Sequence, residues 1–283
     1  MLKRSSVYVL VAISLASAAF VPGAQAAPNY PHRIISLSPS ATEDIFAIGA
    51  GKQVIAVDSL SNFPKTAPIT KLDAFSPNVE AIAKYKPDLV ILQSSATKAS
   101  SVKSALEALK IKVFYEVTPS DVNGAYAEIA ALGNATGRSA QARALITSMK
   151  VAIKAAITKG RKSTPLTIFH EVDNTLYSAT SKTFIGRVYS DFNTVNVADA
   201  ADTADSYGYP QLTNEYLIKS NPTIIFLSDG ESVTKVGARA GWNSIDAVAK
   251  NHIITLPDDI PSRWGPRLVA FYQFISTSVG SIN

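Results

Sequence analysis

Asn78-Val79-Glu80-Ala81-Ile82-Ala83-Lys84 runs through Lys86-Pro87-Asp88 into Leu89-Val90-Ile91-Leu92. The stretch reads as a cap, a short amphipathic helix, a stop and a buried strand. Asparagine accepts an orphan backbone N–H at a helix start, proline cannot continue the helix, and four consecutive apolar residues suit a strand covered on both faces. The same order returns in the second half as Thr213-Asn214-Glu215, Lys219, Pro222 and Ile224-Ile225-Phe226-Leu227. In both copies a glutamate stands two places after the cap, a lysine four after the glutamate, and the proline seven after it. A repeated helix–strand unit predicts two similar lobes, each with one glutamate at an equivalent surface place. A glutamate in the first helical turn is also what the helix dipole favours, by about 0.3–1 kcal/mol. The pair therefore fits either two ordinary helix starts or two acidic knobs on one docking face.

Outward from this unit, Arg33–Leu37, Val54–Val57 and Lys112–Tyr115 read as further strands of the first half. In Ser38-Pro39-Ser40-Ala41-Thr42-Glu43, Pro39 suits a first helical position and Ser40 with Glu43 suggests a capping box; Gly49 and Gly51 end that helix. In the second half, Leu166–Phe169, Val195–Val197, Thr223–Leu227 and Ile253–Leu256 read as strands. Thr183–Phe192, Trp242–Ala249 and Gly265–Val279 read as helices. Strands alternating with helices predict an α/β fold with mostly parallel sheets. Between the halves, Ser139–Lys159 holds neither proline nor glycine and is bracketed by Gly137 and Gly160. Leu145, Met149, Ala152, Ile153, Ala156 and Ile157 recur there at helical spacing. Such a helix is about 30 Å long, either a strut joining two lobes or a surface helix packed on one. The expected division is a leader over 1–26, lobes over 27–137 and 161–283, and a linker helix over 138–160.

The leader reading rests on Lys3 and Arg4, the uncharged run Val7–Phe20, and Ala24-Gln25-Ala26 before Ala27. The run is shorter than a membrane span requires. The 283 residues include no cysteine, which excludes disulfides, thiolate metal sites, cysteine nucleophiles and an anchor attached through cysteine. The formal charge of +5 becomes milder once the leader is removed and argues against a nucleic-acid partner. A released protein outside the cytoplasm is expected.

In open parallel sheets ligands lie at the carboxyl ends of the strands. There the first half offers Ser38, then Ser59, Leu60 and Phe63, then Ser94; the second offers His170, Ser228 and the run from Asp258-Asp259 to Arg263-Trp264. A cleft lined by hydroxyls, aromatics and one or two charges suits a sizeable, polar-edged, partly apolar ligand. His170 reads either as a structural histidine or as a cleft residue, and Trp264 as cleft wall or core. His32, His170 and His252 lack metal-ligand spacing, and no Gly-x-Ser-x-Gly elbow exists. No catalytic residue, metal site or cofactor is expected.

Arg33-Ile34-Ile35-Ser36-Leu37-Ser38-Pro39-Ser40-Ala41-Thr42-Glu43, Val57-Asp58-Ser59 with Phe63-Pro64, Pro77–Ile82 through Lys86–Val90, and Gly265-Pro266-Arg267 occur in that order. Together they resemble the helical-backbone periplasmic binding proteins, the receptors of ABC importers for vitamin B12, ferric siderophores and haem. The resemblance implies two Rossmann-like lobes joined by one long α-helix, a cleft that closes only slightly, and a monomer in the periplasm or extracellular space. It implies that Glu80 and Glu215 meet the ABC transporter permease dimer, and that the ligand is a metal chelate, with cobalamin favoured over a ferric siderophore or haem. Tyr209, ahead of Pro210-Gln211, and Arg263 match ligand positions of the B12 receptors. The aromatics of the first lobe fall instead on Leu60 and Ala74, with Phe63 and Phe75 beside them. A haem ligand would want an axial His170 or Tyr209. The alternatives of other classes are an exported α/β hydrolase, which needs a nucleophile–base pair, and a free metal-ion receptor, which needs converging histidines and acids.

Overall fold

The computed structural model describes residues 30–257 and 259–282. The leader expected over 1–26 lies outside them. The first half builds a five-stranded sheet from β1 (Ile34–Leu37), β2 (Val54–Asp58), β3 (Ile69–Leu72), β4 (Leu89–Gln93) and β5 (Lys112–Glu116), in the order β3-β2-β1-β4-β5. The second builds a four-stranded sheet from β6 (Leu166–Glu171), β7 (Thr194–Asn196), β8 (Ile224–Leu227) and β9 (Ile253–Thr255), in the order β7-β6-β8-β9. Every strand pairing in both sheets is parallel. The central strands β1, β4 and β8 are buried along their whole length, as strands covered by helices on both faces must be.

Helices α1 (Pro39–Ala47), α2 (Val79–Lys84), α3 (Ala99–Ala108) and α4 (Val122–Thr136) belong to the first half, and α5 (Ser139–Gly160) follows. The second half carries α6 (Phe184–Asp191), α7 (Asn214–Ser220), α8 (Val233–Gly237), α9 (Asp246–Ala249) and α10 (Leu268–Gly280). The repeated unit is structurally equivalent in both halves. Asn78 Oδ1 accepts from Ala81 N at 2.9 Å and opens α2; Thr213 Oγ1 accepts from Tyr216 N at 3.2 Å and opens α7. Each helix is followed by one residue in the left-handed region, Lys86 (φ 50) and Asn221 (φ 45), directly before Pro87 and Pro222. β4 lies between β1 and β5, and β8 between β6 and β9.

Helix α5 packs against α4 on one side and α10 on the other. Its end comes close enough to α10 that only glycine fits at position 160: a Cβ there would lie 2.5 Å from Ser276 Cα. Helix α5 thus touches both halves. One apolar cluster runs from Ile34, Ile45 and Ile91 through Ala142, Met149 and Ile153 to Ile168, Phe226, Phe271 and Ile275. Two smaller clusters cover the outer faces of the two sheets.

Three sequence expectations are corrected. The cap of α1 is Ser38, whose Oγ accepts from Ala41 N at 3.3 Å; Ser40 and Glu43 form no capping box and bond to the last loop instead. The helix expected over Trp242–Ala249 is a 3-10 turn and a separate α9, because Ile245 between them is extended (ψ 130) and drops into the core. The last helix starts at Leu268, since Gly265-Pro266-Arg267 form its approach.

Candidate functional site

At the carboxyl ends of β6 and β8 lies a cavity of about 440 Å³, lined by His170, Phe184, Tyr209, Ser228, Asp259 and Trp264 and met from the first half by Thr118. Each half also leaves large apolar side chains in water, and of these Tyr209 lines the cavity. Leu60, Phe63, Phe75 and Val117 belong to the first half, and Tyr177, Tyr207 and Tyr209 to the second. Tyr207 is 86% exposed and Phe75 57%.

His170 ends β6 and is 2% exposed. Its Nδ1 lies 2.8 Å from Tyr189 Oη and its Nε2 3.2 Å from Ser228 Oγ. Ser228 Oγ donates to the Glu171 carbonyl at 2.9 Å. One tautomer satisfies all three bonds: Tyr189 donates to Nδ1, and Nε2–H donates to Ser228. Nε2 then has no lone pair to take a proton from Ser228 or to bind a metal. Burial pushes the imidazole down to about 3, so it is neutral.

Arg263 does not reach into the cavity as a free cation. Its Nη1 donates to Ser262 Oγ at 2.8 Å, its Nη2 lies 3.7 Å from Asp259 Oδ1, and its Nε lies 3.8 Å from Glu43 Oε1. Ser38 is 1% exposed and serves as the cap of α1, so it is corrected from ligand-facing to structural. Ser59 is exposed and Ser94 half-buried, both at strand ends of the first sheet. Phe63 lies under the Arg267 guanidinium, 4.7 Å from ring centroid to Cζ.

Trp264 is both wall and seam. Its ring lines the cavity and tilts against Phe184 at 6.4 Å. Its indole N–H donates to Glu116 Oε1 at 3.2 Å, and its backbone N–H to Ser40 Oγ at 3.4 Å. With Asn62 Nδ2 donating to Asp259 Oδ2 at 2.5 Å, the last loop is tied to the first half on both sides of the cavity. Glu80 and Glu215 are exposed at the second position of α2 and α7, and helix starts lie on the carboxyl-end side of a parallel sheet. Sequence reasoning missed Thr118 and Phe184. Phe184 directly follows the cap Thr183, and that apolar residue at a helix start was the available signal.

A family profile described as Periplasmic binding protein matches residues 34–260. The chain belongs to the periplasmic binding protein family. YvrC of Bacillus subtilis, an uncharacterized ABC transporter substrate-binding lipoprotein, is 31% identical over 258 residues, 88% of this chain and 80% of its own. A vitamin B12-binding protein of Vibrio parahaemolyticus is 27% identical over 241 residues, 83% of this chain and 84% of its own. Among solved structures, a possible iron-binding (periplasmic solute-binding) protein from Staphylococcus epidermidis matches with a TM-score of 0.77 and 27% identity, over 89% of this chain and 99% of its own. This periplasmic binding protein thus has the two-lobe α/β architecture of its relatives. Among the described residues, no cluster of three or more His, Cys, Asp or Glu could hold a metal, and no helix is long and apolar enough to cross a membrane.

Proposed function

We propose that this protein is a non-enzymatic receptor outside the cytoplasm that captures a cobalamin-type corrinoid between its lobes and passes it to the permease of an ABC importer. The observation that carries the cargo class is the chemistry of the cleft. Exposed aromatics occur in both halves, with Tyr209 and Trp264 lining the cavity, while its histidine and its last-loop arginine are already engaged. A ferric siderophore or haem with acidic groups would want a free cation. A corrin ring edged by amides needs stacking surface and neutral hydrogen-bonding groups, which Phe63, Phe75, Leu60, Tyr209 and Trp264, with Ser59, Ser94 and the Ser228–His170 pair, supply. The relatives named for vitamin B12 support the same cargo.

Haem is the second reading, and it has one observation in its favour: Tyr209 lines the cavity and is 46% exposed, so its phenol is open to an axial role. Glu80 and Glu215 are the permease contacts in this proposal, and the working unit is a monomer released by cleavage after Ala26, with lobes over 27–137 and 161–283 joined by the linker helix over 138–160. Calorimetric titration with cyanocobalamin, haemin and a ferric hydroxamate tests the cargo. Saturable binding of cyanocobalamin alone is expected; binding of haemin with a Soret shift and no response to cyanocobalamin would replace corrinoid by haem.

A further inference from the structure

Behind the cleft wall lies a group of acids that ligand capture does not use. Asp44 of α1, Glu116 at the end of β5 and Glu128 of α4 are 0%, 1% and 9% exposed. As carboxylates, both oxygens of Asp44, both of Glu128 and Oε2 of Glu116 find no donor in bonding geometry, and Glu116 and Glu128 lie close enough to share a proton. The nearby cations are spent elsewhere: Arg267 on Glu43, and Arg263 on Glu43, Asp259 and Ser262. The other charged groups acting on the cluster are acids, Glu43 beside Asp44 and Asp58 beside Glu116. Lys150 sits 5.2 Å over the ring of Tyr126, with Asp191 acting on the same phenol; Tyr126 is two residues before Glu128 and so faces away from it on α4.

Carboxylates this close in a dry setting cannot all ionise. Burial, then mutual repulsion, raises Asp44 well above the ordinary carboxyl range and Glu128 to about 11; burial also raises Glu116. The acids are mechanically joined to the cavity. Glu116 accepts the indole N–H of the wall residue Trp264. The next residue, Gly265, backs directly onto Asp44, where a Cβ would lie 3.0 Å from Oδ1 and 3.2 Å from the Ser40 carbonyl.

We propose that Asp44, Glu116 and Glu128 form a proton-operated latch that seats Trp264 as the cleft wall while protonated and lets the wall lift as protons leave. A state with the wall lifted admits water to the acids, which then ionise as ordinary carboxyls. Above the ordinary carboxyl range that state therefore gains about tenfold per pH unit for each proton released. Glu116 is a positioning residue, because it acts through Trp264. The latch does not depend on the cargo, and its test needs none.

The measurement is acrylamide quenching of tryptophan fluorescence in the full-length, cargo-free protein, between about pH 5 and about pH 9. The chain has two tryptophans, and Trp242 is wholly buried, so the quenchable signal is Trp264. Its accessibility is expected to rise about threefold or more across that range with far-UV circular dichroism unchanged. Glu116→Gln and Glu128→Gln keep an accepting oxygen but cannot ionise, so each removes one of the three protons and should make the rise shallower. Should Glu116→Gln fail to fold, Glu128→Gln decides alone. A flat wild-type profile, an equal rise in the glutamine variants, or a rise that coincides with loss of circular dichroism overturns the latch.

Discussion

Arg267 holds Glu43 in a two-point grip, Nη2 to Oε1 at 2.5 Å and Nε to Oε2 at 3.0 Å. The two residues are 224 positions apart. This pair pins the start of α10 to α1 and closes the seam that the cavity wall stands on. Glu43 is 3% exposed, so its charge depends on Arg267, with Arg263 a more distant second partner at 3.8 Å.

Arg267→Ala is therefore expected to cost about 3 kcal/mol, because it leaves a buried carboxylate with only the distant Arg263. The loss should appear as a lower denaturation midpoint in urea. Arg267→Lys keeps the charge but not the fork and should fall between the two. An Arg267→Ala protein as stable as the parent would show that the seam is not held by this pair.

The buried acids make stability fall as pH rises. The unfolded chain releases these protons near the ordinary value of about 4, while in the folded chain burial keeps them on, to about 11 for Glu128. Their contribution is whole below about pH 4 and drains away as pH climbs toward the folded-state values. Glu128→Gln should raise Tm by about 5 °C at pH 8 and leave it nearly unchanged at pH 4. Thermal melts at the two pH values check this, and an equal shift at both would contradict it.

Glu80→Ala with Glu215→Ala should leave cargo affinity intact and weaken coupling to the importer. The first-turn positions predict a stability cost of only about 0.3–1 kcal/mol per site. Binding calorimetry and reconstituted uptake separate the two effects. Normal uptake and normal stimulation of the transporter ATPase by the double variant would remove the glutamates from the docking face.

Tyr209 distinguishes the cargo readings. If it stacks on a corrin ring, Tyr209→Phe should be almost silent and Tyr209→Ala should weaken cyanocobalamin binding by about tenfold. If its phenolate ligates haem iron, Tyr209→Phe alone should abolish the spectral change with haemin.

The repeated helix–strand unit was legible in the sequence because its parts act locally. Caps at Asn78 and Thr213, stops at Pro87 and Pro222, and the runs of β4 and β8 each need only their neighbours. The long helix expected over Ser139–Lys159 was legible for the same reason, and α5 covers Ser139–Gly160. Other elements were not. β3, α3, α4 and α8 carry weak periodicity and take their form from the sheets they cover. Ser40 and Glu43 have the spacing of a capping box, yet the last loop, far along the chain, takes both side chains.

By itself, then, the sequence determined the two α/β halves, the long helix between them in the chain and the equivalent places of Glu80 and Glu215, since local hydrogen bonding and periodic burial decide those. Only the tertiary structure decided that Ser38 is a cap, that Arg263 turns back toward Glu43, and that His170 spends both nitrogens inside the protein. It also decided that Asp44, Glu116 and Glu128 share one dry space under Trp264. These outcomes depend on which distant groups reach a charge first, and partners brought together by folding leave no spacing to read along the chain.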